Sequence, residues 1–206
     1  FFDAIAIKQF NKKKSLWFEK FVNLENTKRA FFFEKKTDIK KIEKKIKFKI
    51  SKNQNFIEYS EEGFRYLKDI SQKIKINKGG LLLIDYGYTD QKMKNTLQGV
   101  LDHKFANILE HLFKIDITHN INFNLYKNLI KKLTGLDNIL TTQKFFLKNM
   151  GILERAEILS KNQNFLKKAD IYYRIKRLID EKQMGELFKV MLIKDKKNKF
   201  NLGFNS

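Results

Sequence analysis

Residues 79–87 read GGLLLIDYG, and this stretch limits the possible folds more sharply than composition does. Two glycines release the end of a polar helical segment, and Leu81, Leu82, Leu83 and Ile84 follow with no polar residue among them. A run that does not alternate predicts a strand apolar on both faces, as in a parallel sheet covered by helices on each side. The chain then turns through Asp85, Tyr86 and Gly87. Ligands of open α/β sheets bind just beyond the carboxyl ends of such strands, so these three residues are candidates for chemistry. Asp and Gly are also common in turns for steric reasons, and a plain strand end is the competing reading.

The 206 residues suffice for one sizeable core, and 42% hydrophobic residues, with 20 Phe among them, are enough to fill it. Absence of cysteine excludes a disulfide framework and thiolate metal sites, and His103, His111 and His119 do not form a ligand spacing. The net charge of +20 would ordinarily suggest nucleic acid or an anionic surface. Here the lysines are spread along a chain without proline, as codon bias in a low-GC genome produces, and they are not interleaved with aromatics as in an RNA-binding motif. Nucleic acid is therefore not the expected partner. No apolar stretch is long enough to span a bilayer, so membrane insertion is not expected either. At the start, FFDAIAIKQFNKKK puts its charges after the apolar residues, the reverse of a secretory leader. A chain that opens on Phe inside an apolar run is expected to have lost sequence upstream.

Read in order, residues 1–3 are expected to end a buried strand, with Asp3 placed at its end as Asp85 is at the end of the central one. Residues 15–33 carry SLWFEKFVNL and RAFFFEK, which predict an antiparallel pair inside an insertion spanning 11–55. Residues 38–52 are lysine-rich and predict a weakly structured surface segment with a short edge strand near 46–50. Phe64, Leu67, Ile70 and Ile74 define one face of a helix, capped by Ser60 and followed by an acidic first turn. After Gly87 a loop carries Thr96, Gln98, Gly99 and His103 over the strand end. Helices are predicted over 124–132, 142–150, 154–160 and 164–180, and strands over 136–141 and 187–193, with 200–204 a candidate to pair with the last.

Six blocks then stand in order: FFDAIAIKQF at the start, GGLLLIDYGY at 79–88, TLQGVLDHK at 96–104, DITHNINF at 116–123, TTQKFFLKNMGI at 141–152 and MGELFKV at 184–190. In order and spacing they resemble the MidA-like family of class I S-adenosylmethionine-dependent methyltransferases. That family includes the mitochondrial complex I assembly factor with protein arginine methyltransferase activity. The resemblance implies an α/β fold, a Rossmann-like methyltransferase sheet truncated at its N-terminus with a small β-rich insertion, the whole chain being the C-terminal part of one domain. On that mapping residues 1–3 end the fourth strand, 81–86 form the fifth and 136–141 the sixth. Residues 187–193 become an antiparallel seventh strand inserted beside the fifth. Here Ala6 stands where the family usually has Pro, Asn122 where it often has Asp, and Asn120 where it commonly has His or Asp. No catalytic role is assigned to either Asn.

The resemblance implies S-adenosyl-L-methionine as cofactor, with its glycine-rich loop upstream of Phe1, so that the residues contacting it are unassigned and the chain alone is expected to be inactive. It also implies a protein substrate, in the first instance an arginine of a complex I subunit. Localisation follows the source: cytoplasmic in a low-GC bacterium, the mitochondrial matrix in a eukaryote. Asp3, Asp85 and His103 are the candidate catalytic groups, two carboxylates to orient a guanidinium and an imidazole to accept its proton. Tyr86, Gly87, Asp116 and Thr118 are the candidate substrate-binding residues, the last two with helix capping as the competing role. Gln143 is read as a helix cap and Gly185 as the relief of a tight turn. Two other functions stay open, a non-catalytic binding or assembly module of the same fold and an RNA methyltransferase.

Overall fold

The computed structural model describes residues 1–25, 29–110 and 113–204. They form two compact units, Phe1–Asp69 with Thr89–Leu125, and Ile70–Tyr88 with Tyr126–Ser206.

The first unit is built on the antiparallel sheet that the aromatic segments foretell. Strands β1 (Lys8–Lys13), β2 (Leu16–Glu25), β3 (Arg29–Thr37) and β4 (Phe56–Tyr59) lie in the order β3-β2-β1-β4. Phe10, Trp17, Ile57 and Tyr59 are buried beneath it. Between β3 and β4, residues 38–52 are better ordered than the lysine content suggests. Asp38 accepts the Lys40 amide at 3.0 Å and opens helix α1 (Ile39–Ile46), which Lys47 ends in a left-handed conformation. Ile39, Ile42 and Ile46 recur at three and four residues, a helical stripe masked by the lysines between them. The expected edge strand at 46–50 is not formed. After β4, Ser60 accepts the Gly63 amide at 2.9 Å and starts α2 (Glu61–Asn77), as its position before Glu61 and Glu62 predicts.

Phe2–Ala4 form a single 3-10 turn, correcting the expectation that residues 1–3 continue a strand. The stretch expected as a loop after Gly87 is instead a second small sheet, β6 (Gln98–Leu101), β7 (Lys104–Ala106) and β8 (Asp116–Thr118), in the order β7-β6-β8. A two-residue strand, β9 (Ile121–Asn122), leads into α3 (Phe123–Thr134). The Asn122 carbonyl side chain accepts the Leu125 amide at 2.9 Å, which makes Asn122 the cap of α3.

In the second unit, β5 (Gly80–Tyr88) pairs antiparallel with β11 (Phe188–Lys194), and β11 pairs antiparallel with β10 (Asp137–Thr142). The final strand thus inserts between the two earlier ones, as the methyltransferase mapping requires. Burial along β5 alternates, however: Leu83 and Asp85 are inside while Leu82 and Ile84 are 44% and 46% exposed. A leucine run fits an antiparallel strand with one open face as well as a parallel one covered twice, and apolar residues alone do not separate the two cases. Helices α4 (Gln143–Asn149), α5 (Ile152–Ser160), α6 (Phe165–Ile179) and α7 (Met184–Leu187) lie between β10 and β11 in sequence. Ile171, Ile175, Leu178 and Ile179 are the least exposed residues on the expected inner face of α6, although none of its side chains is fully buried. Residues 200–204 make no strand. Phe204 packs its ring 5.3 Å from that of Phe146 instead.

Candidate active site

In the first unit, polar side chains converge on one buried carboxylate. Glu58 lies on β4 opposite Gln9 of β1, in a strand otherwise apolar, and is 5% exposed. It accepts the Gln9 side-chain amide at 2.6 Å and the Thr96 backbone N–H at 3.2 Å, and the Thr96 hydroxyl donates to it as well. The Gln9 amide also donates to Asn95 Oδ1 at 2.8 Å, and the Thr96 hydroxyl accepts the Asn120 N–H at 2.9 Å. A buried carboxylate is tolerable only with such donors, each charge-assisted. Together with Gln54, which donates to the Gln91 carbonyl at 2.8 Å and accepts the Met93 N–H at 2.9 Å, the network fastens residues 91–96, the segment that follows the central strand.

Asp3 and the DITHNINF block meet in this unit. The Asp3 carbonyl accepts the His119 N–H at 2.9 Å. His119 is itself buried, and among the described residues neither its Nε2 nor Gln9 Oε1 has a hydrogen-bond partner. Thr118 is half-buried and accepts the Gln98 side-chain amide at 3.2 Å, while Asp116 is exposed on β8 opposite Val100. Neither caps α3, the role Asn122 fills. His103 is exposed and forms, with Asp102, the two-residue turn between β6 and β7, both with positive φ (62° and 48°). A mirror-type turn of this kind favours Asn, Asp or Gly, and Asp102–His103 meets the requirement at some steric cost. Of the histidines singled out or passed over in the sequence, His119 has the buried environment and His103 the turn. His111 lies outside the described residues.

In the second unit, Asp85 is 4% exposed, and its Oδ1 accepts the Tyr86 N–H at 3.0 Å. Opposite it in register stands Lys189, whose ammonium donates to the Glu186 carbonyl. Burial holds the Lys189 pKa below the usual lysine range, against the opposing pull of Glu186. Tyr126 of α3 is buried, and its hydroxyl pKa is pushed well up, by burial first and by the charge of Asp85 second. Tyr86 packs edge-on to Phe188 with ring centroids 5.5 Å apart, and Gly87 is buried beside it in sequence. Among the candidates, Asp85, Tyr86 and Gly87 are therefore brought together at one strand end with Lys189 and Tyr126. Gln143 is buried and donates to the Leu178 carbonyl at 2.9 Å, Thr142 being the cap of α4. At Gly185 an added Cβ would stand 2.4 Å from the Ile179 carbonyl oxygen, so a close backbone approach explains the glycine.

Gln9, Glu58, Lys189 and Tyr126 were not singled out in the sequence. A signal existed for two of them: Glu58 interrupts FIEY, and Lys189 interrupts LFKVMLI, in strands otherwise fit for a core.

A family profile described as "putative S-adenosyl-L-methionine-dependent methyltransferase" matches residues 1–142. The chain belongs to this family. Among curated proteins it is similar to the mitochondrial protein arginine methyltransferase NDUFAF7 of Danio rerio, with 26% identity over 194 residues, 91% of this chain and 44% of the relative. The human NDUFAF7 is also 26% identical, over 203 residues, with 91% of this chain and 42% of the relative covered. The chain thus spans less than half the length of these relatives. A crystal structure of a Burkholderia thailandensis protein bound to S-adenosyl-homocysteine matches all of this chain and 52% of that one, with a TM-score of 0.76 and 21% identity. A second structure from the same organism gives 0.75 and 20%, again over the whole chain and 54% of the other. These likenesses establish the Rossmann-like methyltransferase fold of the family. No helix among the described residues is long and apolar enough to cross a membrane.

Proposed function

We propose that this chain furnishes the substrate-side part of an S-adenosylmethionine-dependent protein methyltransferase, acting on an arginine side chain. The observation that carries the reading is the family match over residues 1–142, which includes the buried Asp85 at the end of β5. S-Adenosylmethionine supplies an electrophilic methyl group when bound. The buried carboxylate of Asp85 suits a cationic substrate side chain. A protonated guanidinium is a weak nucleophile, and a buried carboxylate that accepts its N–H groups orients it and localises its charge. The buried Asp85 carboxylate would do this, with the Tyr86 ring, edge-on to Phe188, as a wall beside it. The NDUFAF7 relatives, named as mitochondrial protein arginine methyltransferases, support arginine as the target and a mitochondrial setting if the source is eukaryotic; a complex I subunit as the substrate protein rests on the family resemblance of the six sequence blocks alone.

Calorimetric titration of S-adenosylmethionine into this chain, and into the chain extended upstream, tests the division of labour. Binding by the extended form alone is expected; tight binding by the short form sinks the assignment. In the extended protein, D85N is expected to lower kcat/KM on arginine peptides by about 10²-fold or more while leaving cofactor affinity unchanged. An unchanged kcat/KM removes Asp85 from the reaction. A second reading, a binding or assembly module of the same fold without methyl transfer, is supported if neither form binds the cofactor.

A further inference from the structure

Three of the six blocks that carry the family resemblance meet at one side chain that belongs to none of them. Glu58 of β4 receives Gln9 from the first block and Thr96 from the third, and the Thr96 hydroxyl in turn accepts the Asn120 N–H from the fourth. One residue before Asn120, the His119 N–H reaches the Asp3 carbonyl. One before that, Thr118 takes the Gln98 side-chain amide where β6 pairs with β8. Two residues past Glu58, the Ser60 hydroxyl donates to the Ala6 carbonyl at 2.8 Å, a second tie to the first block. All of these residues lie in the first unit.

Stability alone does not require a carboxylate at this place. Its strand neighbours Ile57 and Tyr59 are core residues, and exchanging a whole buried charged network for well-packed apolar side chains is often neutral or stabilising. Removing a single member is costly for another reason, since its partners stay behind in the interior. The network is also incomplete as a stabilising device: among the described residues the enclosed Gln9 Oε1 and His119 Nε2 have no hydrogen-bond partner. What it does supply is a single geometry. A carboxylate that accepts from a hydroxyl, a side-chain amide and a backbone N–H leaves the three segments few other ways to lie. A polar residue set against the local core pattern is expected chiefly at functional sites.

Resting on the methyltransferase reading above, we infer that Glu58 is a positioning residue for the reaction: through the Thr96 hydroxyl it holds the segment bearing Thr118 against the turn bearing Asp3, two of the candidate site residues. In this role Glu58 touches no reacting atom. Thr96 is the relay, because the carboxylate takes the hydroxyl proton and so turns the oxygen lone pairs toward the Asn120 N–H. A clamp that serves stability only is the competing role, and under it activity follows the folded fraction.

The test is steady-state methylation of arginine peptides by the protein extended upstream, at a temperature where the far-UV spectrum shows each variant fully folded. E58Q and T96V are each expected to lower kcat/KM by about 10-fold or more with S-adenosylmethionine affinity unchanged. T96S, which keeps the hydroxyl, is expected to stay within about 2-fold of the wild type. Both losses pass through one link, so E58Q/T96V is expected to be no worse than the poorer single variant. If E58Q does not fold, the contrast between T96V and T96S decides, since both keep the carboxylate. Folded E58Q and T96V with the wild-type kcat/KM overturn the assignment, as do losses that multiply in the double variant or a T96S as impaired as T96V. A wild-type protein that methylates no arginine peptide overturns the methyltransferase reading itself, and the assignment with it.

Discussion

Glu58 illustrates how a side chain far from any motif fixes the segment that bears the motifs. Removing its carboxylate leaves the Thr96 N–H and one of the two Gln9 amide hydrogens without an acceptor, the other Gln9 hydrogen keeping Asn95 Oδ1. E58A is therefore expected to cost about 2–3 kcal/mol of stability, read from denaturant midpoints. E58Q restores one oxygen but sets an amide donor against donors, and only part of the loss is recovered. Lys189 carries a different signature. Its pKa is lower folded than unfolded, so between the folded value and the ordinary lysine value the unfolded chain holds more protons. Stability contributed at this site rises with pH through that window and is flat below it. Comparing thermal midpoints of wild type and K189M from pH 8 to 10 isolates the effect: the wild type gains relative to the variant. A constant difference would mean that Lys189 keeps its ordinary pKa. These residues were hard to read because burial of a polar group depends on partners brought from distant sequence; Gln9 and Asn95 are 86 residues apart.

At the level of elements, local signals served well where one interaction decides the outcome. Ser60 and Asn164 cap the helices that follow them, and Gly151 turns the chain with a positive φ of 78° between α4 and α5. Helical spacing placed α6 within a residue at each end. The failures share a cause. Lysine density hid the isoleucine stripe of α1, and an unbroken leucine run in β5 concealed a strand with one exposed face, since pattern reports polarity and not what packs above it. The turn before β11 gives a sharp expectation. G185A drives a methyl group into the Ile179 carbonyl, a backbone atom with no rotamer to yield, and should cost about 1–3 kcal/mol. Chemical denaturation checks it, and a loss below a few tenths would show that the α6–α7 connection relaxes freely. Helix α6, with no fully buried residue, is expected to exchange its amide hydrogens well before β11 does.

For the molecule as a whole, six short blocks in order revealed the family and its strand order, while composition added little. The charge of +20 describes the surface everywhere and says little about any one site. The site was legible only in part: the expected turn at Asp85, Tyr86 and Gly87 is not formed, since β5 runs through them to Tyr88, and His103 stands at a hairpin tip, where turn geometry and not chemistry decides the position. The placing of β11 between β5 and β10 also has a consequence for how the protein is made. Both neighbours leave the ribosome earlier, β5 more than a hundred residues before β11. Until residue 194 emerges, each offers a bare edge where its partner belongs, and the nascent chain depends on chaperones or on speed to keep those edges from foreign strands. A stop codon a few residues before Phe188 would thus remove the middle of a sheet rather than its margin.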